Sequence, residues 1–160
     1  MQQLFCMMYG YYCGDPHQIQ HFVKVHSFAR QIGMAEKLGT GELEILEIAA
    51  IVHDIGIKKA LEKHGSSSGK YQELEGPSEA RALLARLRYP ETVIERVCYL
   101  VGRHHTYTGV DGMDYQILLE ADFIVNMHES TMTMHSIRSV MKKIFRTKTG
   151  KQICGLIFDV

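Results

Sequence analysis

Apolar residues recur every three or four positions along most of the chain, which is the spacing of one helix face rather than the alternation of a strand. The first such stripe follows Asp15-Pro16. This pair favours a helix start, because Asp caps free amides and Pro suits the first helical position. A second helix is expected from about Glu42 to His53, ending at Gly56. Both segments therefore predict helices with one buried face.

Four later stretches show the same spacing. Pro77 and Pro90 are predicted to start the third and fourth helices, since proline is tolerated in a first helical turn. Asp114 is expected to cap a fifth helix, and an amphipathic sixth covers about residues 132–145. The segment 65–69 has the composition of a flexible loop within the domain. The pattern predicts an all-α fold, a single bundle-like domain of about five to seven helices.

The composition is that of one ordinary globular domain. With 160 residues, 46% of them apolar and 22% charged, we expect a single domain over 1–160, with a core at about 15–126 and a C-terminal helical extension at 127–160. Eighteen basic residues balance eighteen acidic ones, so neither a nucleic-acid polymer nor a membrane is an expected partner. The four cysteines form no CxxC pair, which favours free thiols and a cytoplasmic location. The Met- and Tyr-rich segments suit core packing or a homodimer face.

Nine histidines are the unusual feature of the composition. His53-Asp54 directly follows the wholly apolar run 48–52. A histidine and an aspartate at the end of a buried helix are costly unless they are paired or bind a metal. Taken alone, however, this pair favours a capping aspartate beside a core histidine.

Three other positions change that interpretation. His21 lies on the apolar stripe of the first helix, Asp122 lies inside the apolar run 118–125, and His104-His105 ends the fourth helix. Imidazole nitrogens and carboxylate oxygens together suit divalent Mn, Fe, Co, Ni or Zn. Helical bundles build such sites from inward-facing side chains of several helices. The sequence therefore predicts a divalent metal site.

The order of these residues resembles the HD-domain metal-dependent phosphohydrolase superfamily. The similar segments are 21–25, 49–56 and 119–122, and the resemblance covers about residues 15–126. It implies that one divalent ion, from the set Mn, Fe, Co, Ni, Zn and Mg, is bound. The implied metal ligands are His21, His53, Asp54 and Asp122.

Some branches of the superfamily hold two ions by means of additional histidines. His104 and His105 match the adjacent pair found in the cyclic-dinucleotide phosphodiesterase branch, but Gln72 stands where an earlier histidine is expected. Either the site binds one ion, or Glu73 or Glu75 substitutes. We favour one ion, with His104 or His105 in contact with the metal ligands or the substrate. In the alternative interpretation, His104 and His105 bind a second ion.

The resemblance implies hydrolysis of a phosphate ester or anhydride by attack of metal-bound water on phosphorus. A divalent ion lowers the pKa of bound water and polarises a phosphoryl oxygen. The residues expected to take part in catalysis are Asp54, as ligand and proton acceptor, with Lys58, Arg103 and His104. The residues expected to contact a small phosphorylated substrate are Lys24, Lys58, Lys59, Arg103 and Tyr107.

Branch-specific motifs are missing from the sequence. The HD 5′-nucleotidases carry a glutamate at the position where this chain has Ile57. The branch that acts on guanosine tetraphosphate favours acidic residues just after the HD pair, and they are missing here. The cyclic-dinucleotide branch carries a Gly-Tyr-Pro motif after its histidine pair, which residues 107–112 do not reproduce. A nucleotide or related metabolite is therefore expected only by elimination.

Two alternatives stay open. One is a non-catalytic metal or nucleotide sensor on the same fold. The other is a di-iron oxygenase, which needs the full six-ligand set that Gln72 interrupts.

Overall fold

The computed structural model describes all 160 residues and contains nine α-helices and no strand. The all-α class is confirmed, whereas the expectation of five to seven helices is wrong. No helix is sufficiently long and apolar to span a membrane, and the four cysteines are free thiols. The helices are α1 Gln2–Tyr11, α2 Pro16–Ala35, α3 Thr40–Val52, α4 Ile57–His64, α5 Gly69–Arg86, α6 Glu91–Val101, α7 Met113–Glu129, α8 Met134–Ile144 and α9 Lys148–Phe158.

Helices α1, α4 and α9 account for the difference in number. α4 has only eight residues and buries Ala60 alone, so its apolar stripe is too short to be recognised in the sequence. α9 contains Gly150 and Gly155, which lower helix propensity. Its start is nevertheless capped, because the Thr147 hydroxyl accepts a hydrogen bond from the Gly150 N–H at 2.9 Å.

Two of the expected helix starts agree with the structure and two do not. Asp114 was expected to cap a helix, but Gly112 is the N-cap of α7 and makes no side-chain cap hydrogen bond, so Asp114 lies within the first turn. Asp15 caps α2 by accepting a hydrogen bond from the Gln18 N–H at 3.1 Å, and Pro90 directly precedes α6. Pro77 was expected to begin a helix but lies inside α5. Proline removes one backbone hydrogen bond from a helix interior. α5 continues across this gap because its packing against α4 and α6 outweighs the lost bond.

α3 lies at the centre of the molecule and places the start of the HD turn. All of its residues from Leu46 to Val52 are buried, and it packs against α2, α6 and α7. The chain then turns through Gly56, where a Cβ atom would lie 2.6 Å from the Gln72 carbonyl oxygen. Only glycine permits α5 to approach this closely. His53 and Asp54 are thereby fixed between α2, α6 and α7.

The C-terminal helices are attached to the same core. Glu120 on α7 is fully buried. Its carboxylate accepts hydrogen bonds from the Arg146 N–H at 2.6 Å and the Thr147 N–H at 2.9 Å. Gln116 donates a third at 2.7 Å. One apolar cluster extends from Leu4 in α1 to Cys154 in α9. The C-terminal extension therefore packs against and stabilises α7, the helix that carries Asp122.

Candidate metal centre

The HD turn is held by hydrogen bonds on both sides. His53 is fully buried, and its Nδ1–H donates to the Ala50 carbonyl at 2.9 Å, which leaves Nε2 as an acceptor. The Tyr12 hydroxyl donates to the Asp54 carbonyl at 2.6 Å, and the Tyr11 hydroxyl donates to the Ile55 carbonyl at 3.0 Å. The end of α1 therefore clamps the turn, a role that the sequence did not suggest for these tyrosines.

The four residues expected to bind the metal converge on one point. His21 Nε2 lies 3.2 Å from His53 Nε2, 3.2 Å from Asp122 Oδ1 and 3.4 Å from Asp54 Oδ2. His53 Nε2 lies 3.4 Å from each of the same two carboxylate oxygens. Donor atoms that share an ion with bonds of about 2.1 Å are separated by roughly 3.0–3.4 Å. His21, His53 and Asp54 therefore lie close enough together to hold one divalent ion, and Asp122 Oδ1 adjoins them through its contacts with both imidazoles.

The charges of the cluster explain its protonation. Burial would lower the pKa of His21, but its hydrogen bond to Asp122 and the charge of Asp54 raise it to about 9. Burial would raise the pKa values of Asp54 and Asp122, yet the adjacent imidazoles hold both well below their usual range. Without an ion, shared protons compensate the two carboxylates. A cation at this point replaces those protons.

Two polar residues that the sequence interpretation missed support these side chains. The His21 Nδ1–H donates to Glu129 Oε2 at 2.8 Å, and Asn126 Nδ2 donates to Asp122 Oδ1 at 2.8 Å. Asn126 and Glu129 follow Asp122 by four and seven residues, so all three lie on one face of α7. That spacing was the only signal of their role in the sequence.

A second group of donors adjoins the first through Asp54. His104 Nδ1–H donates to the Val101 carbonyl at 2.7 Å, and His104 Nε2 lies 3.3 Å from Asp54 Oδ1, outside hydrogen-bond geometry. The Nε2 atoms of His104 and His105 are buried without a hydrogen-bond partner. Burial and the neighbouring His104 lower the pKa of His105 to about 4, so its imidazole is neutral. Asp54, His104 and His105 can together hold a cation.

Neither glutamate considered as a substitute ligand joins this second group. Glu73 Oε1 accepts hydrogen bonds from the His105 N–H at 2.9 Å and the Thr106 hydroxyl at 3.0 Å. Glu75 pairs with Lys63 at 2.5 Å and His64 at 2.8 Å. Gln72 is buried, and its Nε2 donates to the Ser67 carbonyl at 2.8 Å. The position expected for an earlier histidine thus carries no strong metal ligand.

The basic residues expected to bind phosphate contact other groups. Lys24 pairs with Glu129 at 2.6 Å, and Lys59 pairs with Glu62 at 2.7 Å on the surface of α4. Lys58 Nζ donates to the Tyr11 carbonyl. The Arg103 guanidinium lies over the Tyr99 ring, 4.9 Å from its centre. None of these four cations touches the cluster, so their roles toward substrate stay predictions.

Tyr107 lies beside the cluster. The residue is 45% exposed, and its ring packs against Phe123 with 5.2 Å between ring centres. Phe123 directly follows Asp122. Burial, followed by the charge of Asp122, raises the pKa of Tyr107. This exposed aromatic ring is therefore available to a ligand next to the carboxylate.

Comparison with known proteins agrees with this arrangement. The HD domain model matches residues 19–139, so this chain belongs to the HD domain family of metal-dependent hydrolases, whose members bind a divalent ion. The resemblance inferred from the sequence is thus confirmed. No curated protein matches the chain.

The fold is also similar to that of a solved structure, a predicted HD superfamily hydrolase from an uncultured Thermotogales bacterium, determined at 1.45 Å resolution. The two chains are 21% identical and superpose with a TM-score of 0.71, over 99% of this chain and 85% of the other. This likeness extends to α1, α8 and α9, which lie outside or at the edge of residues 19–139.

Proposed function

We propose that this protein is a phosphohydrolase that cleaves a phosphate ester or anhydride in a nucleotide or related small metabolite. The observation that supports it best is that the Nε2 atoms of His21 and His53 lie 3.2 Å apart, and that each lies 3.2–3.4 Å from Asp54 Oδ2 and Asp122 Oδ1. Membership of the HD domain family supports the metal dependence. In this proposal one divalent ion is held by His21, His53, Asp54 and Asp122.

The cluster needs a cation before it can accept a phosphate. Asp54, Asp122 and Glu129 place three carboxylates around His21, and once the shared protons leave, this negative charge repels a phosphoryl group. A divalent ion supplies the positive charge that polarises a phosphoryl oxygen and lowers the pKa of a water. Phosphoryl transfer asks the protein mainly for positioning and charge neutralisation. We therefore expect strict dependence on a divalent ion.

Asp54 is the residue best placed to link binding and proton transfer. Its Oδ2 faces His21 and His53, whereas its Oδ1 faces His104 Nε2 at 3.3 Å. An imidazole nitrogen that is buried without a partner can take a proton or contact a phosphoryl oxygen. In this proposal His104 performs that role, and Tyr107 stacks on a base or ring of the substrate.

The test is turnover by the metal-free protein after reconstitution with Mn, Co, Ni, Fe, Zn or Mg. The substrates are phosphomonoesters, nucleotides and dinucleotide polyphosphates. We expect phosphate release that requires an added ion and falls at least about 10²-fold in Asp54→Asn and in His104→Ala. Glu91→Gln is the matched control, since Glu91 forms an exposed pair with Arg81 and has no part in the site. Full turnover by Asp54→Asn would contradict the mechanism. Tight metal binding without turnover would favour the sensor alternative.

A further inference from the structure

We propose that Glu129 is a positioning residue for the metal site, and that Lys24 holds Glu129 in place rather than contacting substrate. The three side chains form a chain of contacts, Lys24 to Glu129 to His21. Lys24 Nζ lies 2.6 Å from Glu129 Oε1, and His21 Nδ1 lies 2.8 Å from Glu129 Oε2. Both carboxylate oxygens are therefore used, each by a different partner.

The contact with Glu129 determines which nitrogen of His21 is free. His21 is only 4% exposed, and its Nε2 is the atom that faces His53, Asp54 and Asp122. Because Glu129 accepts the proton on Nδ1, the lone pair of neutral His21 lies on Nε2. A carboxylate on the second nitrogen of a ligand also restrains the ring and raises its basicity. Glu129 thus selects both the tautomer and the orientation that metal binding needs.

The position of Glu129 in its helix supports a specific role. It is the last residue of α7, where the negative end of the helix dipole disfavours a carboxylate. Its side chain is only 12% exposed, so water compensates this repulsion poorly. Lys24 and His21 supply the compensation, since Lys24 Nζ contacts one carboxylate oxygen of Glu129 and the His21 Nδ1–H donates to the other. Lys24 is thereby accounted for without a substrate contact.

The surroundings of Glu129 make substitution practicable. Glu129 lines an open groove of about 460 Å³ beside Lys24 and His128, rather than the packed core. His17 also lines it, with Nε2 3.8 Å from Glu129 Oε2. A side chain on this groove can be shortened without leaving a closed cavity. Glu129→Gln and Glu129→Ala should therefore fold like the parent protein.

The test measures metal affinity, which requires no substrate. Metal-free wild type, Glu129→Gln, Glu129→Ala and Lys24→Met are titrated with Zn or Mn against a chelating dye. We expect Glu129→Ala to bind about 10- to 100-fold more weakly. Glu129→Gln should lose less affinity, because an amide oxygen can still accept from His21 Nδ1. Lys24→Met should lose affinity as well, since Glu129 is then unrestrained.

Glu62→Gln is the matched control, because Glu62 forms an exposed pair with Lys59; its affinity should equal that of wild type. Thermal melts of the metal-free variants exclude misfolding as the cause of a loss. Glu129→Ala binding within twofold of wild type would overturn the positioning role. A raised KM for phosphate substrates in Lys24→Met, without loss of metal affinity, would overturn the assignment of Lys24.

The inference rests on the metal site of the proposed function. Absence of binding by wild type would refute that site itself, whereas equal binding by wild type and Glu129→Ala refutes only the positioning role.

Discussion

Replacing Tyr12 with Phe removes a buried hydroxyl that donates a hydrogen bond to the Asp54 carbonyl at 2.6 Å. Tyr12 is 1% exposed, so water cannot readily replace the lost donor. The Asp54 carbonyl keeps a second hydrogen bond, from the Ile57 N–H at 3.0 Å, so the change removes one bond without leaving the acceptor unpaired. We therefore expect Tyr12→Phe to lower the free energy of unfolding by about 1.5 kcal/mol, the upper end for one hydrogen bond because the site is buried. In a chain of this length that loss corresponds to a fall in Tm of roughly 3–6 °C.

Tyr11→Phe is the matched comparison. The Tyr11 hydroxyl donates to the neighbouring Ile55 carbonyl at 3.0 Å, but its side chain is half-buried. Water can take over part of that bond, so a loss of about 0.5–1 kcal/mol is expected. Urea unfolding of the metal-free proteins, followed by circular dichroism, measures both values. Equal stability of Tyr12→Phe and wild type would refute the view that α1 clamps the HD turn.

Three further predictions follow from the packing and charge of the site. Gly56→Ala should destabilise by at least about 2 kcal/mol in urea unfolding, because its Cβ would meet the backbone of α5 at 2.6–2.9 Å. Gly41→Ala, in open space on α3, should be neutral or stabilising, and equal effects of the two changes would contradict this account. Glu120→Gln should cost about 1–3 kcal/mol in the same assay, since an NH₂ group would replace the Oε2 acceptor of the buried Thr147 hydroxyl, and a neutral oxygen would replace the charged acceptor of the N–H donors of residues 146–147; an unchanged midpoint would count against it. The proton held by His21, whose pKa is raised from 6.5 to about 9, stabilises the metal-free protein below pH 6.5, and this contribution is lost as the pH rises through 9. Metal displaces that proton, so affinity measured by competition should rise about tenfold per pH unit between 7 and 8.5; a flat profile would show that no proton is displaced.

Local sequence signals predicted the parts of this fold that depend on neighbouring residues. Asp15-Pro16 marked the start of α2, and Asp122 was recognisable because a carboxylate interrupts an apolar stripe. The interpretation of Pro77 also relied on a local signal, and it was wrong. The helix-start preference of proline is overridden there by the packing of α5 against α4 and α6. Propensity is a weak guide wherever tertiary contacts oppose it.

The supporting residues of the site could not be predicted in this way. The Tyr12–Asp54 contact joins residues 42 positions apart, and the His21–Glu129 contact joins residues 108 positions apart. Contacts between residues so far apart in the chain leave no repeating pattern in the sequence from which they could be predicted. The metal ligands stood out because burying His or Asp is costly and because their order resembles that of the HD-domain superfamily. Lys24 was assigned to substrate because its partner Glu129 becomes its neighbour only in the folded chain.

The central claim is that His21, His53, Asp54 and Asp122 bind a divalent ion that hydrolysis requires. It is tested most directly by purifying the protein without added metal, quantifying bound metals, and assaying phosphate release beside a His53→Ala/Asp54→Ala double variant. The account predicts about one tightly bound ion per chain and metal-dependent turnover, both lost in the double variant. A wild-type protein that binds no divalent ion, or a double variant that retains metal and activity, would contradict it.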